Sequence, residues 1–375
     1  MEDTITTVPL PRARSTDPLN LLDLDDDALR VLCGGPAFRV RQIKDWLYVK
    51  SVSSVAEMSN LPLEMRAVLS KHEVGRLREE RREVSADHKT VKWLFRSEDA
   101  EIETVLMCYP KRATVCVSVQ AGCAQGCPFC ATGQSGFQRQ LSAGEIVEQV
   151  LHAQRELGDS SRRLFGPDHV TNVVFMGMGE PLANYKNMLS ALRRLHEDVG
   201  LSARSLTVST IGIPDRIRAL AQDAPPVTLA VSLHAPDNRL RDLLVPPNRR
   251  WPLREVLAAA RDFAAAKGRR VTAEYTLIEG VNDSPAQALA LAGLVGPLGM
   301  HVNCIPLNST PDTSYRPSGP ETVARFAAVL QDRGVNATVR QTRGRDLDAA
   351  CGQLRARSRA AAEATRQRSQ VTGAR

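Results

Sequence analysis

The spacing of apolar and polar residues divides this 375-residue chain into regions of different structure. Residues 1–20 show no periodicity and carry scattered Pro, Thr and Arg, so we expect a disordered tail. Residues 21–80 are predicted to form a small helical accessory domain with a basic surface, because apolar residues recur there at helical spacing. In RVRQIKDWLYVK one face of the predicted helix carries Val40, Ile43, Trp46 and Leu47.

Strand-like segments follow the helical region. VKWLF and IETVLM predict a hairpin within residues 81–112. From residue 113 to about 345 strands alternate with helices, which predicts a parallel sheet. Six such units indicate an α/β fold, a partial (β/α)6 barrel. The predicted strands are 114–120, 172–177, 205–210, 227–233, 271–278 and 301–307, with 336–343 as a last strand.

Capping signals support two of the connecting helices. Ser142 and Glu145 have the spacing of a capping box at the start of SAGEIVEQVLHAQREL. Pro320 opens PETVARFAAVLQDRG and Gly334 closes it, which is the usual arrangement of these residues at helix ends.

Polar motifs collect at the carboxyl ends of the predicted strands, the rim where barrel proteins bind ligands. GMGEP (177–181), SLHAP (232–236) and PLN (306–308) each follow a strand. Each motif alone is compatible with a local turn or cap, but their convergence favours one shared site. There Glu180 is expected to accept a hydrogen bond from an ammonium or hydroxyl group, and the glycines to let the backbone approach a ligand closely.

Three cysteines follow the first predicted barrel strand. Cys123, Cys127 and Cys130 lie within eight residues in GCAQGCPFCATG, a spacing that packing or disulfides explain poorly. A four-iron cluster ordinarily takes four Cys ligands. Three ligands leave one iron open, where a small molecule can bind and accept an electron. The triplet therefore predicts an iron–sulfur cluster with an open position.

Five further cysteines lie outside the triplet. Cys116 is on the first barrel strand, where a core residue is expected, and Cys351 is in the segment RGRDLDAACGQL, within a loop at 346–357. The residue pattern leaves an incidental role open for both. The other three are interpreted as small apolar fillers: Cys33, Cys108 and Cys304.

Composition narrows the class of protein. The net charge is +7, and of 49 Lys and Arg residues only 8 are lysine. This excess of Arg suits phosphate contacts, although an arginine-favouring genome explains it equally well. Aromatic residues make up 4%, which argues against a broad base-stacking surface. We find no apolar run of membrane-spanning length and no secretory signal, and we expect a cytoplasmic protein with a basic tail at 358–375.

These motifs resemble the radical S-adenosylmethionine (SAM) superfamily, and within it the dual-specificity RNA methyltransferases that act on carbon 2 of adenosine in 23S rRNA and some tRNAs. Order and spacing agree from about residue 20 to about 360, although Val119 stands where Ser is often found. The matching segments are IETV (102–105), CVSVQAGCAQGCPFCATG (116–133), GMGEPL (177–182), VSTIG (208–212), SLHAP (232–236), IPLN (305–308) and TRGRDLDAACGQL (342–354).

The resemblance implies cofactors and a binding site. Cys123, Cys127 and Cys130 would bind a [4Fe-4S] cluster, and SAM would be used twice per turnover. The helical domain would bind RNA. The residues implied for the SAM pocket are Gly179, Glu180, Ser209, Ser232, Leu233, His234 and Asn308.

The resemblance also implies three catalytic residues. Cys351 would become S-methylcysteine, Glu103 would accept a proton, and Cys116 would release the protein–RNA adduct by forming a disulfide bond with Cys351. The implied partners are 23S rRNA, tRNA and a flavodoxin- or ferredoxin-type electron donor. We expect a monomer without a membrane partner.

Three other functions compete with this interpretation. A relative that methylates carbon 8 of the same rRNA adenosine shares the Cys triplet and both further cysteines, so the motifs do not separate the two. A non-catalytic iron–sulfur RNA-binding protein is disfavoured by GMGEP and SLHAP, which would have no purpose without SAM. A zinc ribbon is disfavoured because no second Cys pair completes four ligands near the triplet.

Overall fold

The computed structural model describes residues 18–162, 164–308, 310, 313–340, 347 and 352–354. The chain forms two compact units, residues 1–76 and 77–375. The expected disordered tail at 1–20 and the basic tail at 358–375 lie almost wholly outside the described residues, as does most of the loop at 346–357.

The first unit is helical, as its apolar spacing predicts. The Asp25 side chain caps the first helix by accepting from Ala28 N at 2.8 Å, and Gly34 ends it in a left-handed conformation. Two short 3-10 turns lie beside the helices, at Leu21–Asp23 and Val55–Glu57. The helices are α1 (Asp26–Cys33), α2 (Ala37–Lys44) and α3 (Leu63–Leu69).

One residue of the predicted core face of α2 lies elsewhere. Trp46 is only half-buried, and its Nε1 donates to Asn60 Oδ1 at 2.6 Å. The cause is a π-helical turn at Asp45–Val49, which has more residues per turn than an α-helix and brings Tyr48 into the core. The other three predicted core residues are buried, namely Val40, Ile43 and Leu47.

The second unit is built on a ten-stranded mixed sheet, with strand order β1-β2-β3-β4-β7-β8-β9-β10-β11-β12. Strands β1 to β4 are antiparallel to their neighbours, and β4 to β12 are parallel. Strands β5 and β6 form a separate ribbon. The strands are β1 (Arg78–Val84), β2 (Thr90–Ser97), β3 (Ala100–Tyr109), β4 (Arg112–Cys116), β5 (Gln120–Gly122), β6 (Phe137–Gln140), β7 (Asn172–Phe175), β8 (Leu206–Thr210), β9 (Thr228–Ser232), β10 (Thr272–Leu277), β11 (His301–Pro306) and β12 (Ala337–Val339).

Helices connect the parallel strands. Both predicted caps are present: Ser142 Oγ accepts from Glu145 N, and Gly334 follows α11 with a φ of 76°. No helix among the described residues is long and apolar enough to cross a membrane. The helices are α4 (Ala131–Gln134), α5 (Ala143–Gly158), α6 (Tyr185–Glu197), α7 (Pro214–Asp223), α8 (Asn238–Leu244), α9 (Leu253–Lys267), α10 (Pro285–Val295) and α11 (Pro320–Asp332).

The parallel half of the sheet is an incomplete barrel. Seven parallel strands from β4 to β12 enclose six strand–helix units, and within the described residues the outer strands β1 and β12 do not pair with each other. Right-handed twist curves such a sheet without closing it. The predicted fold class, a partial (β/α)6 barrel preceded by a helical region, is therefore confirmed.

Two details of the strands differ from the sequence-based prediction. The predicted hairpin is part of the barrel sheet and has an additional edge strand, β1, whose sequence REERREV lacks apolar alternation. Its charged residues form ion pairs across the sheet, such as Glu80 with Arg96 at 2.8 Å. The predicted strand 114–120 is interrupted: β4 ends at Cys116, and the chain then leaves to pair with β6.

Candidate active site

A cleft opens at the carboxyl ends of the parallel strands, with an empty volume of about 1050 Å³. Because all these strands point the same way, the segments that follow them meet at one rim. All three cysteines of the triplet line the cleft. Six of the seven residues predicted for a SAM pocket also line it, namely Gly179, Glu180, Ser209, Ser232, His234 and Asn308.

The Cys loop is held between the β5–β6 ribbon and α4. Cys123 N donates to the carbonyl of Gly136 at 2.8 Å, and Cys130 N donates to the carbonyl of Cys127 at 3.1 Å. Gly122 has a φ of 72°, and a Cβ there would lie 1.9 Å from the Gly136 oxygen. Only glycine therefore lets the two strands of the ribbon approach closely enough to position the first cysteine.

Two of the three thiols of the loop, those of Cys123 and Cys127, are shielded from water, and Cys130 is half-buried. Burial raises the pKa of Cys123 to about 12, and burial together with the neighbouring Cys130 raises the pKa of Cys127. A metal centre binds thiolates, so its assembly must displace these protons.

The donor set fits a cluster better than a single ion. Among the described residues no group of three or more His, Cys, Asp or Glu side chains is gathered tightly enough to hold one metal ion. The cysteines of an iron–sulfur cluster bind different irons and stand further apart than the ligands of one ion. Three thiols facing one cleft are consistent with a [4Fe-4S] cluster held by Cys123, Cys127 and Cys130.

Glu180 is a buried carboxylate held in place by backbone amides. Its Oε1 accepts from Leu182 N at 3.0 Å, and its Oε2 accepts from Ile211 N at 2.9 Å. Burial nevertheless raises its pKa to about 7, because removal from water outweighs these hydrogen bonds. A cationic group bound in the cleft would stabilise the ionised form of Glu180 and lower its pKa.

The glycines of GMGEP are explained by the protein itself. A Cβ on Gly177 would lie 2.7 Å from the backbone of Val117, and a Cβ on Gly179 would lie 2.5 Å from the Gln120 side chain. Gly179 also has a φ of 98°, which favours glycine. The close approach expected to a ligand is therefore at least partly an approach to the neighbouring chain segment, which the sequence alone does not reveal.

His234 joins the pocket wall to the Cys loop. Its ring meets Phe129 edge to face at 4.9 Å between centroids, and its backbone is left-handed, with a φ of 58°. The Nδ1 accepts from Thr276 N at 3.0 Å, so the neutral ring carries its proton on Nε2. Burial, and then the charge of Arg241, lower the pKa of His234 to about 3. The ring is a neutral hydrogen-bond donor at neutral pH.

The remaining predicted pocket residues differ in position. The Ser209 and Ser232 hydroxyls have no hydrogen-bond partner among the described residues, although both residues line the cleft. Asn308 lies at the end of β11 and is buried at the cleft wall. Leu233 is fully buried and does not line the cleft, and its backbone N donates to the Glu274 carbonyl at 3.0 Å.

Glu103 and Cys116 lie on the sheet face opposite α5. Thr104 points to the helix, since its Oγ1 donates to Gln149 on α5 at 2.7 Å, and side chains alternate along a strand. Glu103 therefore faces the barrel interior, as does Cys116, which pairs directly with Val105. Both are buried, and neither belongs to the described lining of the cleft.

Cys351 lies outside the described residues, but the segment after it is described. The Gly352 carbonyl accepts from Ala131 N at 2.8 Å, and the Leu354 carbonyl accepts from Thr132 Oγ1 at 2.7 Å. Residues 352–354 thus contact the start of α4, directly after the Cys triplet. The described cysteines form no disulfide with one another, so the expected pairing of Cys116 with Cys351 finds no support here.

Two residues at the site were not anticipated from the sequence. Arg241 on α8 is buried, and its guanidinium donates to the carbonyls of Ser232 and Leu233 and to Asn248 Oδ1. Glu274 on β10 lines the cleft, and its Oε2 accepts from Asn303 Nδ2 at 2.8 Å. The charge of Glu274 within the apolar strand VTAEYTLI was a usable signal. Arg241 gave none, since exposed arginines surround it in sequence.

A partial barrel with three cysteines at the rim defines the class of protein, a radical SAM enzyme. Consistent with this, the model of the radical SAM superfamily matches residues 117–292. The model of a ribosomal RNA large subunit methyltransferase N-terminal domain matches residues 19–74.

Similar proteins identify the family within the radical SAM superfamily. A probable dual-specificity RNA methyltransferase RlmN from Parafrankia sp. (strain EAN1pec) is 51% identical over 93% of this chain and 94% of its own length. The protein of that name from Mycobacterium ulcerans is 47% identical over 92% and 96%. A radical SAM methyltransferase from Sphaerobacter thermophilus, known from a crystal structure, is 47% identical with a TM-score of 0.86 and covers 91% of this chain and 100% of that one. The chain belongs to the dual-specificity RNA methyltransferase family of the radical SAM superfamily.

Proposed function

We propose that this enzyme methylates carbon 2 of a specific adenosine in 23S rRNA and in tRNAs, with the methyl group carried on Cys351 and two SAM molecules used per turnover. The observation that carries the proposal is 51% identity, over nearly the whole chain, to a protein named as a dual-specificity RNA methyltransferase. The N-terminal match to a ribosomal RNA methyltransferase domain supports RNA as the substrate.

The chemistry of the target explains why such a site is needed. Carbon 2 of adenine lies between two electron-withdrawing nitrogens and has no nucleophilic lone pair, so polar attack on the SAM methyl group is unfavourable. When bound at the Cys triplet, a cluster supplies the electron that splits SAM into methionine and a 5′-deoxyadenosyl radical.

The rim residues are proposed to orient SAM. The Glu180 carboxylate would accept from the amino group of SAM, because it is fixed by two backbone amides and has no cationic partner within the described part of the chain. The Ser209 and Ser232 hydroxyls and the His234 Nε2–H would bind its polar groups, because all three residues line the cleft. The target adenine must leave its stack to reach this interior.

Three side chains are proposed to handle the methyl group and the proton. Addition of a methylene radical on the Cys351 sulfur leaves one unpaired electron on the ring. The adduct would therefore lose one electron, which the oxidised cluster held by the Cys triplet would accept, and Glu103 would take the proton of carbon 2. The Cys116 thiolate would then attack the Cys351 sulfur, forming an S–S bond as the bond from sulfur to the methylene carbon breaks. The leaving electron pair stays on that carbon, which takes up a proton to become methyl, and an external reductant must reopen the disulfide. The shared inward face of Glu103 and Cys116 supports this assignment.

Nucleoside mass spectrometry of rRNA and tRNA tests the proposal. A strain lacking the gene should regain 2-methyladenosine in both RNAs when it carries the natural gene. Cys351→Ala should restore none, although the purified variant should still assemble a cluster and cleave SAM. The control Cys33→Ala, on α1 in the helical unit, should restore methylation fully. Methylation at carbon 8, or 2-methyladenosine formed by Cys351→Ala, would overturn the proposed function.

The proposed partners follow from the same chemistry. Radical formation from SAM needs a single low-potential electron, which a flavodoxin- or ferredoxin-type protein carries. We propose that the enzyme acts as a monomer in the cytoplasm, where rRNA and tRNA occur.

A further inference from the structure

Three charged side chains form a row across the antiparallel part of the sheet. Lys92 Nζ on β2 lies 3.2 Å from Glu103 Oε1 on β3 and 3.8 Å from Glu83 Oε2 on β1. Strand register creates this row. Glu83 pairs directly with Lys92, and Glu103 lies two residues before Val105, the partner of Lys92 on the other side. We call it the Glu83–Lys92–Glu103 row.

The row leads from the interior to the surface. The exposed fractions of the three side chains are 4% for Glu103, 6% for Lys92 and 35% for Glu83. The outer carboxylate also lies 3.7 Å from Arg81 Nε, a half-exposed cation on the same strand. Charged groups therefore link the buried Glu103 carboxylate to solvent, and neighbouring groups in the row are no more than 3.8 Å apart.

A buried ion pair is weak evidence for a stabilising role. Removing two charges from water costs several kcal/mol, and replacing a buried ion pair by apolar residues is often neutral or stabilising. A buried Lys–Glu pair is more informative as a functional feature when the carboxylate faces a reaction chamber. Glu103 shares the inward face of the sheet with Cys116, the face on the barrel side, although neither residue belongs to the described lining of the cleft.

We propose that the Glu83–Lys92–Glu103 row is the exit path for the proton removed from carbon 2 of the target adenine. This rests on the proposed function, in which Glu103 takes that proton. The carbon–hydrogen bond breaks, its electron pair stays in the ring, and Glu103 becomes a neutral acid. Lys92 receives a proton from Glu103 at 3.2 Å and gives one ammonium proton to Glu83 when rotation of its side chain shortens the 3.8 Å separation to hydrogen-bond distance. Glu83 then releases its proton to water. Glu103 is returned to its carboxylate form for the next turnover.

Substitutions of Glu83 and Lys92 distinguish proton transfer along the row from simple ion pairing. Glu83→Gln keeps the shape of the outer group but cannot accept a proton. Lys92→Arg keeps the positive charge beside Glu103 but cannot relay a proton, because a guanidinium does not deprotonate in proteins. The matched control is Glu80→Gln, which removes a carboxylate on the same strand with a similar exposed fraction of 40%, paired with Arg96 outside the row.

The experiment is single-turnover kinetics on the full-length, cluster-loaded enzyme methylated beforehand on Cys351. Rapid quenching and denaturing gels follow the covalent protein–RNA adduct, and chromatography follows 5′-deoxyadenosine. Glu83→Gln and Lys92→Arg should form 5′-deoxyadenosine and adduct at the natural rate, whereas adduct decay should slow by roughly 10-fold. Adduct decay in Glu83→Gln should recover with increasing imidazole concentration, because a small base replaces the missing acceptor. Glu80→Gln should decay at the natural rate.

Failure of the proposed function and failure of the proton exit path give different results. If Cys116→Ala accumulates no adduct, the proposed function fails and the exit path fails with it. If adduct forms but Glu83→Gln and Lys92→Arg resolve it at the natural rate, only the exit path is overturned. Equal slowing by Glu80→Gln, or slowing that imidazole leaves unchanged, would mean that the row is structural and would also overturn the path.

Discussion

At the scale of single residues, the cleft is controlled by side chains that burial forces into unusual charge states. Glu180 retains two backbone hydrogen bonds and still has a pKa of about 7, and His234 has a pKa of about 3. Desolvation is the largest cause for both. At neutral pH the cleft thus contains a neutral imidazole and a carboxyl group poised to ionise when a cation binds.

The pKa of Glu180 predicts how SAM affinity depends on pH. An amino group of SAM binds the ionised carboxylate, so affinity should rise as pH increases from about 6 to about 7.5 and should change little above that. The raised folded-state pKa also means that the carboxyl group is protonated more readily in the folded chain. Its contribution to stability is therefore largest below pH 4.5 and is lost as pH rises through about 7.

Equilibrium dialysis of labelled SAM with anaerobic, cluster-loaded enzyme across this pH range measures the effect. Glu180→Gln should bind SAM more weakly and with a flat profile over the same range, because its amide does not titrate. A flat profile for the natural enzyme, or an unchanged slope in Glu180→Gln, would show that another group controls binding.

At the scale of elements, α8 fixes the ends of two strands through one buried cation. Arg241 donates to the carbonyl of Ile211 after β8, and to the carbonyls of Ser232 and Leu233 at the end of β9. Parallel strands leave their last carbonyls without ladder partners where the chain turns away, and buried carbonyls require donors. Burial lowers the pKa of Arg241 to about 10, which still leaves it charged.

Replacing Arg241 should therefore loosen the rim. Arg241→Met leaves one buried and two partly buried carbonyls without this donor and should lower the free energy of unfolding by on the order of 3 kcal/mol. Arg218→Met on α7 is the control, because its side chain is 44% exposed and pairs with Asp262 on the surface; its effect should stay within about 0.5 kcal/mol. Urea unfolding measures both, and equal effects of the two substitutions would contradict this role for Arg241.

The secondary elements were largely predictable because their signals are local. The strands that form the parallel sheet begin and end within a few residues of the apolar runs, and the Ser142–Glu145 capping box is formed. β1 escaped prediction because its sequence is polar and carries no apolar alternation, although it pairs with the next strand in the chain, β2. The end of β4 at Cys116 escaped because the next residues pair with β6, which lies beyond the Cys loop.

At the scale of the whole molecule, the groups proposed for radical chemistry all belong to one of the two units. The Cys triplet, the cleft and the Glu83–Lys92–Glu103 row all lie within residues 77–375. The helical unit carries the match to a ribosomal RNA methyltransferase N-terminal domain. Radical generation and RNA selection are thus expected to reside in separate parts of the chain.

A fragment of residues 77–375 tests this division. It should assemble a cluster and produce 5′-deoxyadenosine from SAM, because every group proposed for that chemistry is present. Methylation of RNA should fall by at least roughly 100-fold, since losing RNA contacts worth about 3 kcal/mol has that effect. The full-length enzyme in the same assay is the reference, and unchanged RNA methylation by the fragment would exclude an RNA-binding role for the helical unit.

By itself the sequence determined the strand–helix order, the cysteine triplet and the motifs that lie at the rim, because these depend on local spacing and residue type. Only the tertiary structure decided that Glu180 is held by the amide of Ile211, that Arg241 is buried among strand ends, and that Lys92 joins Glu83 to Glu103. These contacts join residues that are 8 to 31 positions apart in the chain and depend on strand register and burial. Local sequence patterns do not predict these contacts, because a buried Lys or Arg and an exposed one look alike in the sequence.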